Sequence, residues 1–168
     1  MARKTKAKSA SASVTKSTPK SRPATHADAE LLLHLYDQRR DEKLRKARNF
    51  VLFEFVPTSD EEFAALAFNF GSEQQLYFRM VFSYWEQTAA LSNRGVVHGE
   101  LFDDFSGELF FLYAKYGSFF HIVRERLNPD FGKHIETAAM ATPARRARVE
   151  RAQKMIASRR AQPKAAGQ

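Results

Sequence analysis

The sequence predicts an all-α fold, a helical bundle of about four main helices plus short helices, with basic disordered or frayed tails. Apolar residues recur at the i, i+3, i+4 spacing of one helix face, between residues that cap helices and the Gly and Pro that stop them. Strand signals are weak: the chain has no Asn-Gly or Asp-Gly hairpin dipeptide and no alternating run of length. All fifteen Phe lie between residues 50 and 131. At about 25 cal/mol per Å² of apolar surface buried, that segment holds ample material for one core.

The first helix is expected from Thr25 or Ala27 to about Phe55. Thr25 can cap it, and Asp28 complements the dipole in the first turn. Leu32, Tyr36, Leu44, Ala47 and Val51 fall at helical spacing. Glu42–Lys46 and Asp41–Arg45 are i, i+4 pairs in the favourable order. Pro57 ends the segment. A short second helix follows, capped by Thr58 or Ser59 and stopped by Gly71. The third runs from Ser72 to Asn93 with a wide apolar arc around Trp85. Its one polar stripe is Gln75, Arg79, Ser83, Glu86, Ala90 and Asn93, and Gly95 takes the left-handed position that closes it. A fourth helix covers about 99–127. Ser106 offers a second start within it, and Gly117 a kink. A short fifth covers about 130–140. After Pro143 comes a basic helix with the thin apolar stripe Val149, Ala152 and Ile156.

Charge divides the chain the same way. Residues 1–26 carry seven Lys/Arg and no acid, and residues 143–168 carry eight Lys/Arg and Glu150. The 27–142 segment is acidic, so the net charge of +8 belongs to the ends. The organisation read from this is a disordered basic N-terminal tail over 1–26, a helical bundle domain over 27–142, and a basic C-terminal helix and tail over 143–168. Residues 1–26 hold too little apolar area to offset their ordering entropy. Basic ends suit a polyanion, or the acidic body of a neighbouring copy. No apolar run approaches the length of a membrane span, and the N-terminal stretch lacks the apolar region of a secretory signal. A cytoplasmic location is expected.

The residues do not compose an active site. The chain has no Cys, which removes thiolate chemistry and thiolate zinc sites. It has no paired Glu-x-x-His, no Gly-rich phosphate loop and no nucleophile elbow. Glu30/His34, His121/Glu125 and Asp130/His134 have chelating i, i+4 spacing but read as surface pairs. Glu100, Asp103, Asp104 and Glu108, with His98 nearby, form an acidic knot that reads as a solvated helix start rather than an acid/base pair. No enzyme activity, cofactor or metal is expected.

The runs "LLLHLYDQRRDEKLRKARNFVLFEF", "YFRMVFSYWEQTAALSNRGVV" and "ELFDDFSGELFFLYAKYG" resemble a family of small bacterial all-helical domains of unknown function. The resemblance rests on Leu35, Tyr36, Asp37, Arg39, Arg40, Tyr84, Trp85, Glu86, Asn93 and Gly95. It covers about 27–140 and implies the all-α fold and no particular activity.

The expected function is a non-enzymatic helical bundle that acts through protein contacts, with an unknown partner or as a homo-oligomer. The alternative is an accessory protein that binds nucleic-acid phosphates nonspecifically through its tails. The candidate interaction or interhelix residues are Tyr36, Asp37, Arg40, Arg79, Glu86 and Asn93. Within that set, Asp37 or Glu86 is expected to pair with an Arg between the first and third helices.

Overall fold

The computed structural model describes residues 22–161. Most of the expected N-terminal tail and the frayed C-terminal end, residues 1–21 and 162–168, lie outside the described residues. Among the described residues every regular element is helical.

The single helix expected over 27–55 is divided. α1 spans His26–Gln38 and α2 spans Glu42–Asn49. Thr25 and Asp28 close a reciprocal capping box at the start of α1. At Asp41 the backbone leaves the helical region (φ −51°, ψ 133°), and the Asp41 carboxylate accepts the Leu44 N–H at 2.9 Å. Asp41 thus caps a new helix, the local competition that keeps Asp out of helix interiors. The Glu42–Lys46 pair forms as expected, at 2.8 Å. α2 then widens into a π-turn over Phe50–Glu54, with Phe55 N–H donating to the Phe50 carbonyl at 2.9 Å. Carbonyls of that turn have other partners. Lys115 Nζ donates to Val51 and Leu52 at 2.8 and 3.0 Å, and the Tyr116 hydroxyl reaches Val51 at 2.6 Å. Side chains that draw carbonyls out of the i−4 ladder are a recognised cause of such widening.

α3 spans Asp60–Ala67, capped by Ser59, and α4 spans Glu73–Asn93, capped by Ser72. α4 ends as its sequence requires. Gly95 sits at φ +71°, its N–H donates to Ser92, and Val96 N–H donates to Leu91. The helix expected over 99–127 is segmented into α5, Gly99–Phe105; α6, Gly107–Tyr116; a 3-10 turn, Gly117–Phe119; and α7, Phe120–Arg126. Ser106 stands at the first joint, but its buried hydroxyl has no partner among the described residues and caps nothing. α8 spans Lys133–Met140 and α9 spans Pro143–Ala161.

α4 is the central helix, packed against α2 on one side and α8 on another. α6 lies against α8 and α9. The fully buried Trp85, Tyr116, Phe63, Phe102 and Phe120 fill the interior. Phe78, Phe82 and Phe131 interlock beside them, with Phe78–Phe82 centroids 4.3 Å apart and Phe82–Phe131 5.4 Å. α9 buries Val149 and Ile156 of its expected stripe, and also Arg145.

Candidate functional site

The polar stripe of α4 has two destinations. At one end it meets the start of α8, whose N-cap is Gly132 at φ +67° and which has no side-chain cap of its own. Glu86 supplies the missing acceptor from another helix. One carboxylate oxygen takes the His134 N–H at 2.8 Å and the other takes the Ile135 N–H at 3.1 Å. A carboxylate there satisfies two orphan donors and opposes the positive end of the helix dipole. Seven residues on, Asn93 Nδ2 donates to the His134 carbonyl at 3.0 Å. So Glu86 and Asn93 fasten α4 to α8.

This corrects the expected pairing of Asp37 or Glu86 with an Arg. Glu86 is taken by backbone N–H groups that have no other cap. Asp37 is exposed and pairs with nearby Arg40 at 3.7 Å. Tyr36 and Arg40 are exposed with it. An interhelix ion pair does exist, but it joins Glu108, expected in the acidic knot, to Arg39 and Arg48. Glu108, at the start of α6, is only 9% exposed at its side chain. Arg39 approaches it at 2.7 Å from the end of α1 and Arg48 at 2.6 Å from α2. Trp85 Nε1 donates to it at 3.0 Å from α4. A buried indole N–H requires an acceptor, and this requirement was the sequence signal for Glu108. Burial pushes the Glu108 carboxyl up, but the Arg48 hydrogen bond, the Arg39 charge and the Trp85 donor outweigh it and hold it below its ordinary value. The Arg39 guanidinium also lies over the Trp85 ring at 5.3 Å and the Tyr36 ring at 5.7 Å.

Gln75, Arg79 and Ser83 of the stripe face a cavity of about 530 Å³ between α4 and the segment joining α7 to α8. Phe78, Phe82, Phe131 and Ile135 supply apolar wall, and Gln75, Arg79, Ser83 and Glu86 line it from α4. Arg79 is exposed, and its side chain makes no ion pair or hydrogen bond among the described residues.

The acidic knot around α5 comes apart into separate structural jobs. Asp103 pairs with buried Arg145 at 2.7 Å. The His98 side chain sits at the N-cap of α5, and its backbone N–H donates to Asp28 at 2.8 Å. Glu108 belongs to the arginine pair described above, while Glu100 and Asp104 are exposed. Among the described residues no group of three or more His, Asp or Glu is placed to hold a metal ion. No described helix is long and apolar enough to cross a membrane.

The comparisons with known proteins add a family. Residues 24–142 match the model described as "Domain of unknown function (DUF4760)". No curated protein matches the chain. No solved structure matches it.

Proposed function

We propose that this chain, which belongs to the DUF4760 family, is a non-enzymatic helical-bundle protein that acts through protein–protein contacts, the first of them with a second copy of itself. One observation carries the reading. Leu33, Tyr36, Asp37 and Arg40 stand at i, i+3, i+4 and i+7 along α1 and the turn after it, and all four are exposed. Leu33 is 57% exposed and Tyr36 49%. Leu33 and Tyr36, one turn apart, are apolar anchors of the kind a helix lays against a partner. The stripe also carries one carboxylate and one guanidinium, so it complements itself across a two-fold axis, Asp37 of each copy toward Arg40 of the other. The acidic body and basic ends of the chain favour association in the same sense. The acids at the helix contacts are already engaged, which supports a non-enzymatic reading. Asp28, Asp103 and Glu108 are each engaged by an arginine, and Glu86 by backbone N–H groups.

Sedimentation equilibrium of the full chain over a wide concentration range tests this. The native chain should show a reversible dimer, and Leu33→Glu with Tyr36→Glu should be monomeric with an unchanged helical circular dichroism spectrum. A native chain that is monomeric throughout overturns the α1 contact.

A second reading, nonspecific phosphate binding by the basic ends, is favoured by Arg151, Lys154 and Arg159, which α9 holds out to solvent next to the C-terminal tail. Anisotropy of a labelled random duplex should then rise with the full chain, fall steeply as salt is added, and lose part of that salt slope in Arg151→Glu with Lys154→Glu. No binding at low salt removes the reading.

A further inference from the structure

We infer that the cavity between α4 and the α7–α8 segment is a binding site for a small molecule with an apolar body and a single carboxylate. This goes beyond the contact role proposed above, and α1 lines no part of the cavity.

The size is that of a ligand pocket, about 530 Å³, within the few-hundred to one-thousand Å³ range where a small molecule buries most of its surface. Its walls are mainly aromatic and aliphatic, with Phe78, Phe82 and Phe131 in mutual contact along one side. Such a lining selects an apolar body.

The polar groups select the charge. Gln75 is 4% exposed. Its backbone N–H is held by Ser72, but its side-chain amide makes no hydrogen bond among the described residues and opens on the cavity. That amide is therefore open to a ligand acceptor. Arg79 follows four residues later, so it stands on the same face of α4 one turn on. Its guanidinium has no ion pair among the described residues, whereas both lining acids are engaged. Glu86 accepts two N–H bonds from α8, and Asp130 pairs with Lys133 at 3.1 Å. The unmet charge of the cavity is therefore positive. Gln75 and Arg79 together offer neighbouring N–H donors, the arrangement that a carboxylate accepts well. Phe70 and Leu127, 60% and 59% exposed, stand at the rim as apolar surface in water.

The test uses decanoate and 4-phenylbutanoate as probes of the full chain, by isothermal titration and by amide ¹H–¹⁵N shifts. At least one should bind with one molecule per chain and shift amides of residues 75–86 and 128–135. Decanol, which keeps the body and lacks the charge, should bind about tenfold or more weakly than decanoate, the factor that one charge-assisted hydrogen bond supplies. Arg79→Ala should impose a similar loss on the carboxylate and leave decanol unaffected, and Arg79→Lys should restore part of it. Because Arg79 is exposed and unpaired, the melting temperature of free Arg79→Ala should not move, which separates lost binding from lost folding. Failure of both probes to bind at millimolar concentration overturns the inference. So does equal affinity for decanoate and decanol, which would mark a nonspecific greasy surface, or tighter binding of decylamine, which would make Glu86 and Asp130 the ligand partners.

Discussion

Glu86 caps a helix to which it does not belong: its carboxylate takes the His134 N–H at 2.8 Å across 48 residues of sequence. A local cap cannot replace it. Gly132 holds the N-cap position in the left-handed region, and a Cβ there would run into the Phe120 ring. Glu86→Ala therefore strands two N–H groups at the start of α8 and should cost about 1–2 kcal/mol. The melting temperature should fall by a few degrees, at about 2–4 °C per kcal/mol for a chain of this size. Glu86→Gln keeps one acceptor and should lose less. Thermal melts of the two variants decide it, and an unmoved Glu86→Ala would mean that α8 docks without help from the Glu86 cap.

Glu108 binds two arginines that approach it from different helices, and all three side chains are at least three-quarters buried. Glu108→Gln preserves shape and removes the charge, which leaves Arg39 and Arg48 facing each other with no counter-ion. Removing one partner from a buried ion pair costs about 3–5 kcal/mol. The variant should unfold at clearly lower denaturant than the native chain, with the loss concentrated where α1 and α2 meet α6. Glu108→Gln with Arg48→Met should recover part of it, since exchanging a buried pair for apolar volume is far milder than breaking it. A double variant less stable than the single one would sink this account.

What the sequence made legible divides by distance along the chain. Caps at Thr25, Ser59 and Ser72, the Gly95 stop and the apolar arc of α4 are decided by residues within one or two turns, and they stand where local chemistry puts them. The break at Asp41 was equally local, but Asp41 reads both as a helix pair with Arg45 and as a cap for Leu44, and only packing chooses. The Glu108 pair joins residues 60 and 69 positions apart, and no spacing rule reaches that far. Glu86 was legible as polar and its partner was not, because a backbone N–H leaves no mark in a sequence. The one available trace was negative: a Gly where α8 should have had a capping side chain.

The entrance to α1 should make stability depend on pH. Arg22 forks onto the buried Asp28 carboxylate at 2.7 and 2.5 Å, and the Thr25 and His98 backbone N–H groups add bonds at 2.8 Å each. The Arg22 hydrogen bonds, then the Thr25 hydroxyl, hold the Asp28 carboxyl far below the ordinary carboxylate range against the opposing effect of burial. The folded value is depressed, so the sign follows. The stabilisation is complete above the ordinary carboxylate value of about 4 and is lost as pH falls below it toward the folded value. Denaturant midpoints of the native chain and Arg22→Gln, taken from neutral pH downward, should differ most at neutral pH and converge in acid. Curves that stay parallel would show that the Arg22 fork does not set the Asp28 titration.

The π-turn after α2 offers the last test. Tyr116 is wholly buried, and its hydroxyl donates to the Val51 carbonyl at 2.6 Å and lies 3.0 Å from the Phe55 carbonyl. Burial pushes the Tyr116 hydroxyl well above its ordinary value, so it stays a donor throughout the physiological range. Tyr116→Phe keeps the ring among Phe63, Phe78 and Phe82 and removes only the bond to the turn. Val51 retains Lys115 as a donor, so the variant loses one of two bonds to that carbonyl, and the effect falls on the width of the turn. A cost of about 1 kcal/mol is expected, the net contribution of one typical hydrogen bond. Hydrogen exchange should quicken at the Phe55 amide, which bonds the Phe50 carbonyl inside that turn, more than at amides in the middle of α4. If α4 and the turn quicken together, the hydroxyl supports the whole fold and has no special hold on the π-turn.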